Sequence, residues 1–250
     1  RPRVGWVRWR VSMSLLEWVL ANAAMLVGSI VQGGIGFGGN LLAVPVLVLL
    51  DPEFIPGPAL VASFSLTLMM IAREPGEGDW PRVFPALVGR VPGTFLGAAV
   101  VALLSTDALT WFFATGILVA VAISASGVHV APTRANLFGG GLASGFMATS
   151  IAVGGPPMAL VLQSSEGPVV RRTLSRFFAV GVGFSFVALA AFGEMDLNDV
   201  ARGLALVPGT AIGLLLSGRL ARYLDRGYTR PAVLTLSAIA AVAALLRVAL

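Results

Sequence analysis

The chain has 250 residues, of which 57% are hydrophobic and only 12% charged, and its mean hydropathy is +0.90. Soluble domains are typically about 45–50% apolar and about 25% charged, so a soluble globular fold is excluded. All 17 basic residues are arginine and the formal net charge is +5, but the arginines fall mostly between apolar blocks, where membrane topology accounts for them better than a nucleic-acid partner does.

The chain opens with "RPRVGWVRWR", and residues 1–11 form a basic N-terminal segment. It resembles the n-region of a signal peptide, yet the apolar run behind it outlasts an h-region and shows no convincing small-residue cleavage site. Apolar segments follow at roughly 12–32, 40–50, 57–72, 83–104, 108–126, 137–149, 152–163, 173–192, 202–218 and 231–249. Their recurrence at membrane-spanning length predicts an all-α, polytopic membrane bundle. Pro, Gly and charge mark the breaks, as in "DPEFIPGP", "REPGEGDWPR", "HVAPTR" and "GEMDLND".

Segments 40–50, 137–149 and 152–163 are shorter than the roughly 20 residues of a full crossing. They flank glycine-rich breaks, "GGIGFGGN" from Gly33 and "VGGPP" from Val153. Such pieces read as broken or re-entrant helices, which are tolerated at membrane depth only where protein or a water-filled cavity satisfies the freed backbone.

The chain also repeats itself. An offset of 112 residues places Gly33 on Gly145 and Pro45 on Pro157. "VPGTFLG" (Val91 to Gly97) returns as "VPGTAIG" (Val207 to Gly213) at an offset of 116. The expected layout is membrane repeat 1 over 12–125, a connector over 126–136 and membrane repeat 2 over 137–250. Arginines cluster in 73–90, 164–176 and 218–230, whereas 51–56 and 105–107 carry only acids. If each broken segment is a hairpin, the halves are inverted and the three basic clusters face the cytoplasm. Arg1, Arg3, Arg8 and Arg10 then lie on the other side, against that rule.

With "GGIGFGGNLLAVPVL" behind a first helix, the "GGPPMAL" echo and the twin "VPGTxxG" motifs, the chain resembles the TauE/SafE family of anion and sulfite exporters. The resemblance covers about residues 15–246. It implies a multi-pass protein of the inner (plasma) membrane that exports small sulfur-containing anions such as sulfite or organosulfonates. It names no single cargo.

The chemistry of the breaks agrees with an anion. Half-helix N-termini present backbone N–H groups and roughly +0.5 charge, and glycine admits a substrate oxygen with no side chain in the way. Two breaks meeting near the midplane, one from each half, would build a shared site. Gly36, Gly38, Gly39 and Asn40 are its candidates from the first break. Thr149, Ser150, Gly154, Gly155 and Gln163 are those from the second, with Pro156 and Pro157 opening the half-helix. Each glycine has an alternative role in tight helix packing, and each polar residue as a cap or interhelical bond. Arg90, about two turns into segment 83–104, either holds the anion with its planar fork or snorkels to the interface.

Other chemistries are poorly served. There is no Cys, the single His129 lies in the connector and nearly all acids fall in loops, so no metal set and no catalytic pair occurs in the apolar segments. No enzyme activity and no cofactor is expected. The partners are a small anion and the bilayer; the oligomeric state is open, a homodimer included. A channel-like anion pathway and a non-transporting scaffold are the rival readings. Glu17, the one acid in an apolar helix, is either a proton carrier or an interfacial group.

Overall fold

The computed structural model describes residues 13–128, 130–162 and 167–224, and all regular structure among them is helical. The elements in chain order are α1 (Leu15–Ile35), α2 (Gly39–Leu50), a 3-10 turn (Pro52–Phe54), α3 (Gly57–Arg73), α4 (Trp80–Leu103), α5 (Thr106–Ala125), α6 (Arg134–Ile151), α7 (Gly155–Leu162), α8 (Gly167–Ala191), α9 (Leu197–Ala205) and α10 (Val207–Leu224). Three stretches are long and apolar enough to cross a membrane: α1, residues 83–103 of α4 and residues 168–191 of α8. The pair α9–α10, bent by 41°, makes a fourth if taken as one span.

The first break is shorter than the glycine run suggests. Gly33 and Gly34 continue α1, and the helix stops only at Gly36, whose φ of 97° belongs to the left-handed region. Gly38, at φ 90°, then opens α2 with no side-chain cap. The chain folds back here: α2 returns along α1, with Gly28 against Gly39 and Ala43. The second break behaves alike. Ala152, in the left-handed region at φ 57°, ends α6, and α7 returns along it with Gly140 facing Pro157, Met158 and Val161. Segment 137–149 is therefore longer than its apolar core, because Thr133 caps the helix at Arg134.

Charge sorts the two ends of the bundle. At one end, Arg202 of α9 pairs with Asp51 (2.7 Å) and Glu53 (2.9 Å). The N-terminus of α1 lies at this same end, where Trp18 meets Phe54 edge-on at 5.6 Å. At the other end, Arg73 donates to the Gly33 carbonyl (2.6 Å), the Leu214 carbonyl (3.0 Å) and the Ser217 hydroxyl (2.7 Å), tying α3 to α1 and α10. There too Arg171 pairs with Glu74 at 2.9 Å. Arg171, Arg172 and Arg176 lie on α8, which begins at Gly167–Pro168, where a proline in the first turn forfeits no helical bond. Glu17 closes a capping box with Ser14 and so is occupied as a helix cap.

Two helix pairs carry the tightest packing, α4 on α6 and α1 on α10. Gly93 and Gly97 of "VPGTFLG" lie on the carbonyls of Leu142 and Phe146; Gly209 and Gly213 of "VPGTAIG" lie on those of Asn22 and Leu26. A Cβ at any of the four would overlap its backbone neighbour. This is small-residue packing, in which backbones rather than side chains touch. Segment 231–249, Gln163 and His129 lie outside the described residues.

Gly93→Ala and Gly209→Ala should each destabilise the folded protein by about 1–3 kcal/mol through overpacking. Gly139 and Gly183 face open space, so Ala at either should leave the thermal midpoint in detergent unchanged or slightly raised.

Candidate functional site

The two breaks converge. A methyl on Gly155 would sit 3.3 Å from Phe37 Cβ and 3.4 Å from the Gly38 amide nitrogen, so the start of α7 abuts the start of α2. Asn40, in the first turn of α2, reaches across with its amide Nδ2, which donates to the Ala152 carbonyl (2.7 Å) and to Ser63 Oγ (2.7 Å). The carbonyl that accepts this bond belongs to the one non-glycine residue with positive φ among the described residues. Strain of that kind, about 1–2 kcal/mol, persists where neighbours over-determine the backbone.

Around this junction lies a pocket of about 470 Å³, including its open mouth. Gly38, Asn40 and Leu41 line it from α2, and Gly154, Gly155 and Pro156 line it from the second break. Ser63 and Thr67 enter from α3, Phe178 and Val182 from α8, and Gln32 from α1.

Arg90 of α4 also lines the pocket, and its side chain is fully buried within the protein. Nη1 donates to Ser144 Oγ at 2.9 Å, and Ser144 Oγ in turn donates to the Gly154 carbonyl at 2.6 Å. The guanidinium lies 4.8 Å over the Phe177 ring and 5.8 Å from that of Phe178. Gly181 makes room for it, since a Cβ there would overlap Arg90 Nε. Among the described residues, Nε and Nη2 have no hydrogen-bond partner. Burying an ion costs several kcal/mol; against that stand one charge-assisted hydrogen bond of about 1.5–3 kcal/mol and cation–π contact of about 2 kcal/mol. The site is under-compensated by the protein and is suited to an arriving anion.

The second break needs such help. Pro156 and Pro157 lack N–H groups, so the first turn of α7 offers fewer amides than an ordinary helix start. A guanidinium, linked to that break through Ser144 and Gly154, supplies donors where the backbone does not.

Among the sequence candidates, the structure brings Gly38, Asn40, Gly154, Gly155 and Arg90 to the pocket. The others are employed elsewhere. Gly36 packs on Arg171 and Gly39 on Gly28 and Gln32; Thr149 shares a 2.8 Å hydrogen bond with Ser185; Ser150 donates to its own helix at Phe146 (2.7 Å). Ser63 and Thr67 were readable as polar residues four apart on one face of an apolar helix. Ser144 and Gly181 carry no comparable signal, because their part depends on where α4 lies.

A family model described as "Sulfite exporter TauE/SafE" matches residues 20–244. No curated protein and no solved structure matches the chain.

Replacing Arg90 by Met removes two unpaired buried donors while keeping an unbranched side chain of similar reach. Arg90→Met should therefore stabilise the ligand-free protein, by about 1–3 kcal/mol. A lower thermal midpoint in anion-free buffer would show that the guanidinium is structural.

Proposed function

Because the chain belongs to the TauE/SafE sulfite exporter family, a family of transporters and not of enzymes, we propose that it exports small sulfur-containing anions, sulfite or organosulfonates, across the inner membrane. The family and the apolar helices make it a multi-pass membrane protein. The observation that carries the choice of site is the buried Arg90 guanidinium, with Nε and Nη2 unpartnered beside the pocket where the two breaks meet. The anion lies between that fork and the uncapped start of α2, whose dipole end favours negative charge.

Transport proceeds by alternating access around a site between two inverted repeats, residues 12–125 and 137–250. Three features support the inversion. Helix α1 runs from the Asp51–Arg202 end to the Arg73–Arg171 end, and α6, its counterpart at the 112-residue offset, runs the opposite way. The pairings α1 with α10 and α4 with α6 are reciprocal between halves. Asn40 and Ala152, hydrogen-bonded to each other, stand 112 residues apart, so the repeat operation carries one onto the other. The Arg73–Arg171 end is the cytoplasmic one by the positive-inside rule.

Two experiments test the proposal. In liposomes, Arg90→Lys should reduce anion flux at least tenfold, since an ammonium cannot reproduce the planar fork. Gly155→Ala should do the same by filling the junction, and trans anion should accelerate wild-type efflux as a carrier requires. Full flux in both variants would remove the site. Because the chain has no Cys, Glu77→Cys and Glu194→Cys, at corresponding loops of the two halves, should label from opposite sides of the membrane; labelling from one side would contradict the inversion.

A further inference from the structure

The pocket's chemistry is uneven in a way that bears on the part of the substrate remote from its charge. Of the described residues lining it, Arg90 is the one that carries a formal charge. Gln32, Asn40, Ser63 and Thr67 supply neutral polar groups, and Leu41, Leu60, Phe178 and Val182 supply apolar wall. Leu60 is 1% exposed and Val182 4%, so these walls belong to the packed interior. The acids sit away from it: Glu74 pairs with Arg171 at one end of the bundle, and Asp51 and Glu53 pair with Arg202 at the other.

The pocket is open on one side, and its apolar wall adjoins the guanidinium, so the tail of an organosulfonate held at Arg90 meets that wall. A tail bearing an ammonium would lose its hydration beside a guanidinium with no carboxylate in the lining to pair with. An isolated buried charge of that kind is strongly disfavoured.

We infer that the site selects anions whose tail is uncharged and apolar, and that it rejects zwitterionic amino-sulfonates of the same size. The inference rests on the anion site proposed above and adds its specificity. An ammonium in this pocket meets repulsion from Arg90 and no compensating acid, whereas a methyl group in its place meets Leu60 and Val182. Lengthening an alkyl tail tightens binding until the apolar wall is covered, by about fourfold for each methylene buried.

The test uses the purified full chain in nanodiscs and two isosteres, propane-1-sulfonate and 2-aminoethanesulfonate, which differ by a terminal methyl against an ammonium. Binding is read by calorimetry and by thermal shift, with methanesulfonate and sulfite as head-group references and Arg90→Met as the site control. The expected result is propane-1-sulfonate binding several-fold tighter than methanesulfonate and at least tenfold tighter than 2-aminoethanesulfonate, with all binding lost in Arg90→Met. Equal or tighter binding of the amino-sulfonate, still dependent on Arg90, would overturn the specificity while leaving the site in place. Binding of any of these anions that persists unchanged in Arg90→Met would overturn the site, and the specificity with it.

Discussion

A guanidinium enclosed by protein, with one serine to hold and two donors left over, is the interaction on which the rest of the arrangement turns. Water would satisfy those donors outside the bundle; inside, no group among the described residues does. The phenylalanines beneath the group offer their ring faces, and Gly181 gives up its side chain so that the group can lie flat against α8. None of this is needed to anchor a helix at a membrane interface. A charge retained at that cost is the ground for the binding site proposed here.

The bundle makes the placement possible by letting backbones touch. Where the "VPGTxxG" glycines lie on a neighbouring helix, α4 approaches α6 closely enough for Arg90 to reach Ser144 and, through it, the second break. The same packing recurs between α10 and α1, but the charge does not recur. At the position of the second half that corresponds to Arg90 stands Leu206, and there the helix bends by 41° between α9 and α10. Asn22 holds that bend from both sides, donating to the Ala205 carbonyl (3.2 Å) and accepting from the Gly209 amide (2.9 Å). Two similar halves thus supply one cation and one bend.

The helical class, the two breaks and the repeated motifs were all visible in the sequence, because apolar length, glycine clusters and proline spacing are local properties. Element limits were less so: Gly33 and Gly34 stay helical although they look like breakers, and Arg171 and Arg172 lie on α8 although they look like loop. In both cases tertiary contact overrode propensity, with Arg73 holding the Gly33 carbonyl and Arg171 pairing with Glu74. The candidate site divides in the same way. Glycines and Asn40 at the breaks could be read from spacing, whereas Thr149 and Ser150 look like free donors in a linear chain and are consumed by Ser185 and Phe146 in three dimensions. Gly154 lines the pocket, but its missing side chain also clears space for Ala148 and Ser144, and its carbonyl accepts from Ser144 Oγ, neither of which spacing reveals.

The most direct test of the central claim is to see where an anion rests. Selenite carries an anomalous scatterer in the shape of sulfite, so a crystal of the full chain grown with it locates the anion without reference to its chemistry of transport. The account predicts a selenium peak within hydrogen-bonding reach of Arg90 Nε and Nη2, beside Gly155 and Asn40. Peaks confined to the Arg73–Arg171 end, with the Arg90 fork left bare, would contradict it.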